Sequence, residues 1–167
     1  MPSIRLATAA DIPLILYLIR ALAEYEREPD AVQTTEADLL RDGFGAQPCF
    51  ECLIAENEQD KAVGFALYFY NYSTWRGRQG IHLEDLFVLP EFRGQGIGKA
   101  LLARVGARAA EQGCVRLQWD VLAWNQTAID FYQSLGARFL DEWRIMRMSD
   151  EGIHGLANLA RETEPAH

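Results

Sequence analysis

The run Arg93-Gly94-Gln95-Gly96-Ile97-Gly98-Lys99 limits what this chain can fold into more than any other feature. It follows the apolar stretch Leu86-Phe87-Val88-Leu89-Pro90 and opens a helical pattern that runs from Lys99 towards Gln112. Three glycines at alternate positions let a strand turn sharply into a helix with bare backbone exposed. The first N–H groups of that helix have no intrahelical partner, and the helix dipole favours negative charge there. Strand, glycine loop and helix start therefore form an anion site, most often for phosphate. Arg93 and Lys99 flank it with positive charge. Two familiar phosphate loops are excluded by spacing. Lys99 is followed by Ala100 and no Gly stands five positions before Gly98, so this is not the ATP-binding loop. Position 99 holds Lys where the dinucleotide fingerprint requires its third Gly.

The segments around this loop alternate between strand and helix patterns. Ile4 to Ala7 reads as a short strand. Asp11 is placed to cap a helix carrying Ile12, Ile15, Leu16, Leu18, Ile19 and Leu22, with Pro13 in its first turn. Thr35 and Asp38 form an imperfect capping box for a helix over Glu36 to Arg41, which Gly43-Phe44-Gly45 ends. Phe50 to Glu56, Ala62 to Tyr72 and Ile81 to Leu89 read as three strands joined by short connections, hence antiparallel. The helix after the loop puts Ile97, Leu101, Leu102 and Val105 on one face and a basic stripe, Lys99, Arg104 and Arg108, elsewhere. Gly113 stops it. Val115 to Leu122 is a further strand, parallel to Ile81 to Leu89 because a helix crosses between them. Asn125 caps a helix that stops at Gly136, and Phe139 to Met148 reads as a last strand. From Ser149 the chain is polar and expected to fray. The pattern as such gives a mixed α/β class, with one domain over residues 1–148 and a tail over 149–167.

With a formal charge of −8, the chain lacks the basic face of a nucleic-acid binder and suits a cationic substrate. No apolar run is long enough to span a membrane, and the first residues have no signal-peptide core, which predicts a cytoplasmic protein. Cys49, Cys52 and Cys114 are too sparse for a disulfide framework, and Cys49-Phe50-Glu51-Cys52 has no second pair, so buried free thiols are expected. His82, His154 and His167 are scattered, and no metal site is expected. Glu84 and Asp85 stand inside an otherwise apolar strand, where an unpaired carboxylate is costly to bury. Strand alternation sends them to opposite faces. Glu84 is the better candidate for a substrate-facing acid; Asp85 is equally well read as a satisfied structural one. Tyr132 shares a helix face with Ala128 and Leu135, where a Tyr is more often core, although a phenol beside a departing thiolate can act as a general acid. Trp124 reads as core.

These pieces resemble the GCN5-related N-acetyltransferase (GNAT) superfamily, and within it the diamine/thialysine N-acetyltransferase branch. The resemblance rests on Leu22-Ala23-Glu24-Tyr25-Glu26, Asp42-Gly43-Phe44-Gly45, Leu83-Glu84-Asp85-Leu86-Phe87-Val88, the glycine loop, Trp124-Asn125-Gln126 and Phe131-Tyr132 with Leu135-Gly136-Ala137. It reaches from near the start to about Met148. It implies a mixed, mostly antiparallel central sheet flanked by helices, acetyl-CoA as co-substrate, and a homodimer. It further implies roles. Leu86, Phe87 and Val88 present backbone groups to the pantetheine arm and the thioester. Arg93, Gly94, Gln95, Gly96, Ile97, Gly98 and Lys99 hold the pyrophosphate. Asn125 and Ala128 contact the cofactor, and Tyr132 sits by the sulfur as general acid. Glu84 accepts the amine proton. Tyr25, Glu26, Glu84, Gln118, Trp119 and Asp120 line the amine site.

The implied reaction is direct acetyl transfer in a ternary complex to a primary amine of a small cation, either a lysine-like amine such as thialysine or a polyamine. Tyr72-Ser73-Thr74-Trp75-Arg76-Gly77 and Pro90 to Gly96 resemble the thialysine side more. Two other readings stay open: acetylation of a protein lysine or N-terminus, and a CoA-binding regulatory domain without catalysis. The aromatic residues of Ala62 to Tyr72 are a candidate dimer edge.

Overall fold

The computed structural model describes residues 2–163. The chain divides into two compact units, Met1–Asp120 and Val121–His167. The first unit is built on a five-stranded sheet in the order β1-β2-β3-β4-β5. Its strands are β1 (Ser3–Leu6), β2 (Glu51–Glu56), β3 (Ala62–Ser73), β4 (Arg78–Val88) and β5 (Leu117–Gln118). The first four pair antiparallel, and β5 pairs parallel to β4. Sequential hairpins account for the antiparallel part, whereas β5 is reached through a crossover helix, as its parallel direction requires.

Helices α1 (Ile12–Tyr25) and α2 (Glu36–Phe44) cover one face of the sheet. Ile15, Leu18 and Leu39 pack there with Cys52, Ile54, Phe65, Leu67, Phe87 and Leu89. The alternate residues Leu53, Ala55, Val63, Ala66 and Tyr68 are equally buried and point to the opposite face. Helix α3 (Ile97–Glu111) lies on that side, burying Ile97, Leu101, Leu102, Val105 and Ala109. Each fully buried aliphatic side chain of this size contributes roughly 1.5–3 kcal/mol.

Several expectations change on contact with the structure. Asp11 stands before α1 but makes no cap with its side chain. Its carboxylate instead accepts from Arg5, at 2.8 and 2.9 Å, and from the Thr8 N–H at 2.7 Å. The Arg5 guanidinium holds the Asp11 carboxyl down at about 2. The Thr35–Asp38 box does form, and α2 continues through Gly43 to Phe44. Arg108 does not stay on an outer basic stripe. Its guanidinium meets Glu51 at 3.0 Å, and Glu51 also accepts from the Tyr68 hydroxyl at 2.7 Å. Strand β3 lies between β2 and β4 only as far as Tyr68; beyond it Phe69, Tyr70 and Tyr72 pair with β4 alone among the described residues. Of the thiols, Cys52 is buried, Cys114 intermediate and Cys49 exposed, against the expected burial.

The strand expected over Val115 to Leu122 pairs only at Leu117–Gln118. In the second unit, the expected strand over Phe139 to Met148 is absent, and those residues follow an irregular, largely exposed path. Their apolar alternation has no sheet partner among the described residues. The expected fraying tail is instead helix α5 (Asp150–Thr163), with Ile153, Leu156 and Leu159 at helical spacing. Residues 164–167 of the expected tail lie outside the described residues.

Candidate functional site

In the first unit the loop residues do what their spacing requires. Gly94 and Gly96 have φ of 75° and 78°, a region open to glycine at little cost. An added Cβ at either would meet nothing within 4 Å, so it is backbone conformation, not crowding, that demands glycine. Gly96 is the residue before α3, and no side chain caps that helix. The leading N–H groups of a 15-residue helix are left for an outside acceptor, beside the exposed Lys99. The helix begins at Ile97, two residues before the point the pattern suggested.

Strand β4 meets β5 only through Ile81↔Leu117 and His82↔Gln118. Beyond His82 its second edge is therefore unpaired among the described residues. Leu89 donates to the Val63 carbonyl at 2.9 Å, which makes Leu89 and Phe87 the residues bonded to β3. By alternation the N–H and C=O groups of Leu86 and the N–H of Val88 face the open side, while the Val88 carbonyl accepts from Arg93 Nε at 3.0 Å. An extended chain carrying amides finds matching donors and acceptors there. The glycine loop offers donors to an anion, and this edge offers a ladder to an extended amide chain.

A bulge sits at the start of the open stretch. Leu83 faces Tyr68 and Asp85 faces Leu67, so Glu84 has no partner on β3. Bulges re-aim side chains and recur beside active sites. The Glu84 side chain is 56% exposed, with an oxygen 3.7 Å from His82 Nε2. His82 stacks on Phe69 with ring centroids 5.0 Å apart. Asp85, by contrast, is partly buried and has no hydrogen bond or ion pair among the described residues. Burial raises its pKa to about 7, with further upward pressure from Glu84 and then Glu26. Burial also raises the pKa of Glu26. The satisfied-acid reading of Asp85 is thus wrong. Glu84 and Glu26 both act on the partly buried Asp85 carboxyl, an arrangement an ammonium ion would relieve.

Tyr25, the last residue of α1, leans on Phe87 with ring centroids 6.2 Å apart. The Arg93 guanidinium carbon lies 4.2 Å from the centre of the Tyr25 ring. Gln118 and Asp120 are exposed at and after β5, and Trp119 between them is partly buried. The first unit thus gathers Tyr25, Phe87, Val88 and Arg93 in one contact group, and couples Glu26, Glu84 and Asp85 electrostatically. Sequence reasoning did not select Asp85 as a site residue, although a second acid in an apolar strand was the signal. What the sequence lacked was knowledge that no basic partner meets it.

The second unit contributes α4 (Gln126–Ser134). The Asn125 side chain caps it, accepting from the Ala128 N–H at 3.3 Å. Tyr132, one turn beyond Ala128, is partly buried and packs beside Phe131, with centroids 5.2 Å apart. Trp124, expected in the core, is 43% exposed. Among the described residues, no group of three His, Cys, Asp or Glu is placed to hold a metal, and no helix is long and apolar enough to cross a membrane.

Comparison with known proteins agrees with this geometry. The chain is 44% identical over 164 residues to thialysine N-epsilon-acetyltransferase of Bos taurus, covering 92% of this chain and 96% of that one. It is 42% identical to human spermidine/spermine N(1)-acetyltransferase-like protein 1, covering 92% of this chain and 23% of that larger protein. Among solved structures, an integron cassette protein from the V. cholerae mobile metagenome superposes with a TM-score of 0.79 at 27% identity, covering 93% of this chain and 97% of that one. Residues 16–137 match the profile of the Acetyltransferase (GNAT) family. An uncapped glycine-loop helix beside an open strand edge, in a chain so matched, makes this protein a member of the GNAT acetyltransferase family.

Proposed function

We propose that the protein moves the acetyl group of acetyl-CoA to a primary amine of a small cation, with thialysine or a similar lysine-like amine preferred to polyamines. The observation that carries the substrate class is the partnerless, partly buried Asp85 beside Glu26 and Glu84, next to the unpaired edge of β4. Such a cluster attracts an ammonium group and binds it once water is displaced. The relatives named for thialysine and polyamine acetylation support the same class. The chain spans nearly the whole length of the bovine relative.

Acetyl-CoA, when bound, supplies the acetyl group as a thioester. The backbone N–H groups of residues 94–99 hold its pyrophosphate, with Lys99 adding charge. Leu86 and Val88 pair with its amide-bearing arm and polarise the carbonyl through backbone N–H; the expected backbone contact from Phe87 is not available, because its N–H and C=O face β3. Asn125 and Ala128 contact it from the start of α4. Tyr25, Glu26, Asp85, Gln118, Trp119 and Asp120 orient the amine. Glu84 accepts the amine proton, directly or through water, as nitrogen bonds to the carbonyl carbon. Tyr132 donates its proton to the sulfur as the carbon–sulfur bond breaks. Holding both reactants together removes much of the entropic barrier to their encounter. Saturable thiol release with a small amine, and little with a basic peptide, tests this reading.

A homodimer belongs to the same proposal. The second unit leaves large apolar side chains on its surface, among them Trp143 at 70% and Met146 at 94% exposed. Ile145, Ile153, Leu156 and Leu159 are exposed with them. Monomers rarely carry contiguous apolar patches beyond a few hundred Å². Sedimentation in the low micromolar range is expected to give twice the monomer mass; a stable monomer refutes the dimer. The three free thiols accord with a reducing, cytoplasmic location.

A further inference from the structure

We infer that Arg93 is a positioning residue, clamping Tyr25 at the end of α1 to the end of β4 and so shaping the amine site instead of gripping phosphate. This rests on the reading above that Tyr25 and Glu26 border the amine. Arg93 is extended, with φ −70° and ψ 162°, and Gly94 turns immediately after it at φ 75°. The loop backbone leaves in one direction while the side chain folds back to the strand it has just left. Its Nε donates to the Val88 carbonyl at 3.0 Å. Its guanidinium carbon lies 4.2 Å from the Tyr25 ring centre and 5.4 Å from that of Phe87. A planar cation over an aromatic face is attracted by the ring quadrupole, and Arg suits this better than Lys.

Three separate segments meet at this one guanidinium. Tyr25 ends α1, and the Glu26 N–H that follows still closes the helix onto the Leu22 carbonyl at 2.9 Å. Phe87 and Val88 end β4, where the reacting carbonyl is to be held. Arg93 opens the glycine loop. The side chain therefore links the segment that lines the amine site to the one that receives the thioester. The anion site does not need it, because the uncapped N–H groups of α3 and Lys99 supply its donors and charge.

The test compares Arg93→Met and Arg93→Lys with the unaltered protein. Calorimetry gives the Kd of acetyl-CoA at low and high salt, and steady-state kinetics give KM and kcat for thialysine. Arg93→Met is expected to raise the amine KM about tenfold, the size of a lost cation–π and hydrogen-bond contact, with acetyl-CoA affinity changed less than about threefold. Arg93→Lys should restore only part, since an ammonium lacks the planar fork. Tyr25→Leu should cost less in the Arg93→Met background than in the unaltered protein, because the two share one interaction. A tenfold weaker, less salt-dependent grip on acetyl-CoA with unchanged amine KM would make Arg93 a phosphate ligand and overturn the inference. If the unaltered protein acetylates no amine, the functional reading fails, and amide exchange decides the clamp. Faster exchange at residues 24–28 in Arg93→Met supports it, and unchanged exchange overturns it.

Discussion

Tyr132→Phe is expected to lower kcat by about 10²- to 10³-fold, the usual worth of a positioned general acid. The acetyl-CoA Kd should change little, because the substitution removes one hydroxyl and keeps the ring that packs beside Phe131. The fold of α4 should be unaffected, since Asn125 still caps it through the Ala128 N–H. Pre-steady-state thiol release under saturating substrates measures the step directly. Unchanged turnover would remove Tyr132 from the reaction, and an equal loss of acetyl-CoA affinity would make it a binding residue.

Asp85→Asn is expected to weaken the enzyme and stabilise the protein together. Burial holds the Asp85 carboxyl at about 7, against an ordinary value of 3.8. Between those two values the folded state keeps a proton that the unfolded state has lost. Stability therefore falls as pH rises from about 4 through about 7, and is flat above. At about 1.4 kcal/mol for each tenfold in proton affinity, the cost at alkaline pH has a ceiling of about 4 kcal/mol. Asn carries no charge to desolvate. The variant should melt several degrees higher than the parent at pH 8.5 and show nearly the same Tm near pH 4. Its KM for the amine should rise about 30- to 100-fold, the value of one hydrogen bond to a charged group in a partly buried site. A Tm difference that ignores pH, or an unchanged KM, would contradict the role given to this acid. Site residues commonly trade stability for activity in this way.

The sequence was most legible where one local rule decided the outcome. Alternate glycines forced the loop, and the Thr35–Asp38 and Asn125 caps fixed two helix starts. The hairpin order of β2, β3 and β4 followed from short connections. It was least legible where the outcome depends on distant partners. Asp11 was free to cap α1, yet Arg5 on β1 outcompeted the helix N–H groups for its carboxylate. Arg108 lay on a polar stripe until Glu51, 57 residues away, drew it inward. Phe139 to Met148 alternates as a strand does, but alternation supplies only a surface, and the sheet partner must come from elsewhere. The same limit applies to the acids. Glu84 and Asp85 were visibly unusual, but only the bulge at Glu84 and the missing partner of Asp85 tell them apart.

The most direct test is free-thiol release from acetyl-CoA with thialysine, lysine, ornithine, putrescine, spermidine, spermine and a basic peptide, in one preparation. The account predicts saturable turnover with the small cations, the highest kcat/KM with thialysine, and little with the peptide. Release with the peptide alone, or with no amine at all while acetyl-CoA still binds, would contradict it.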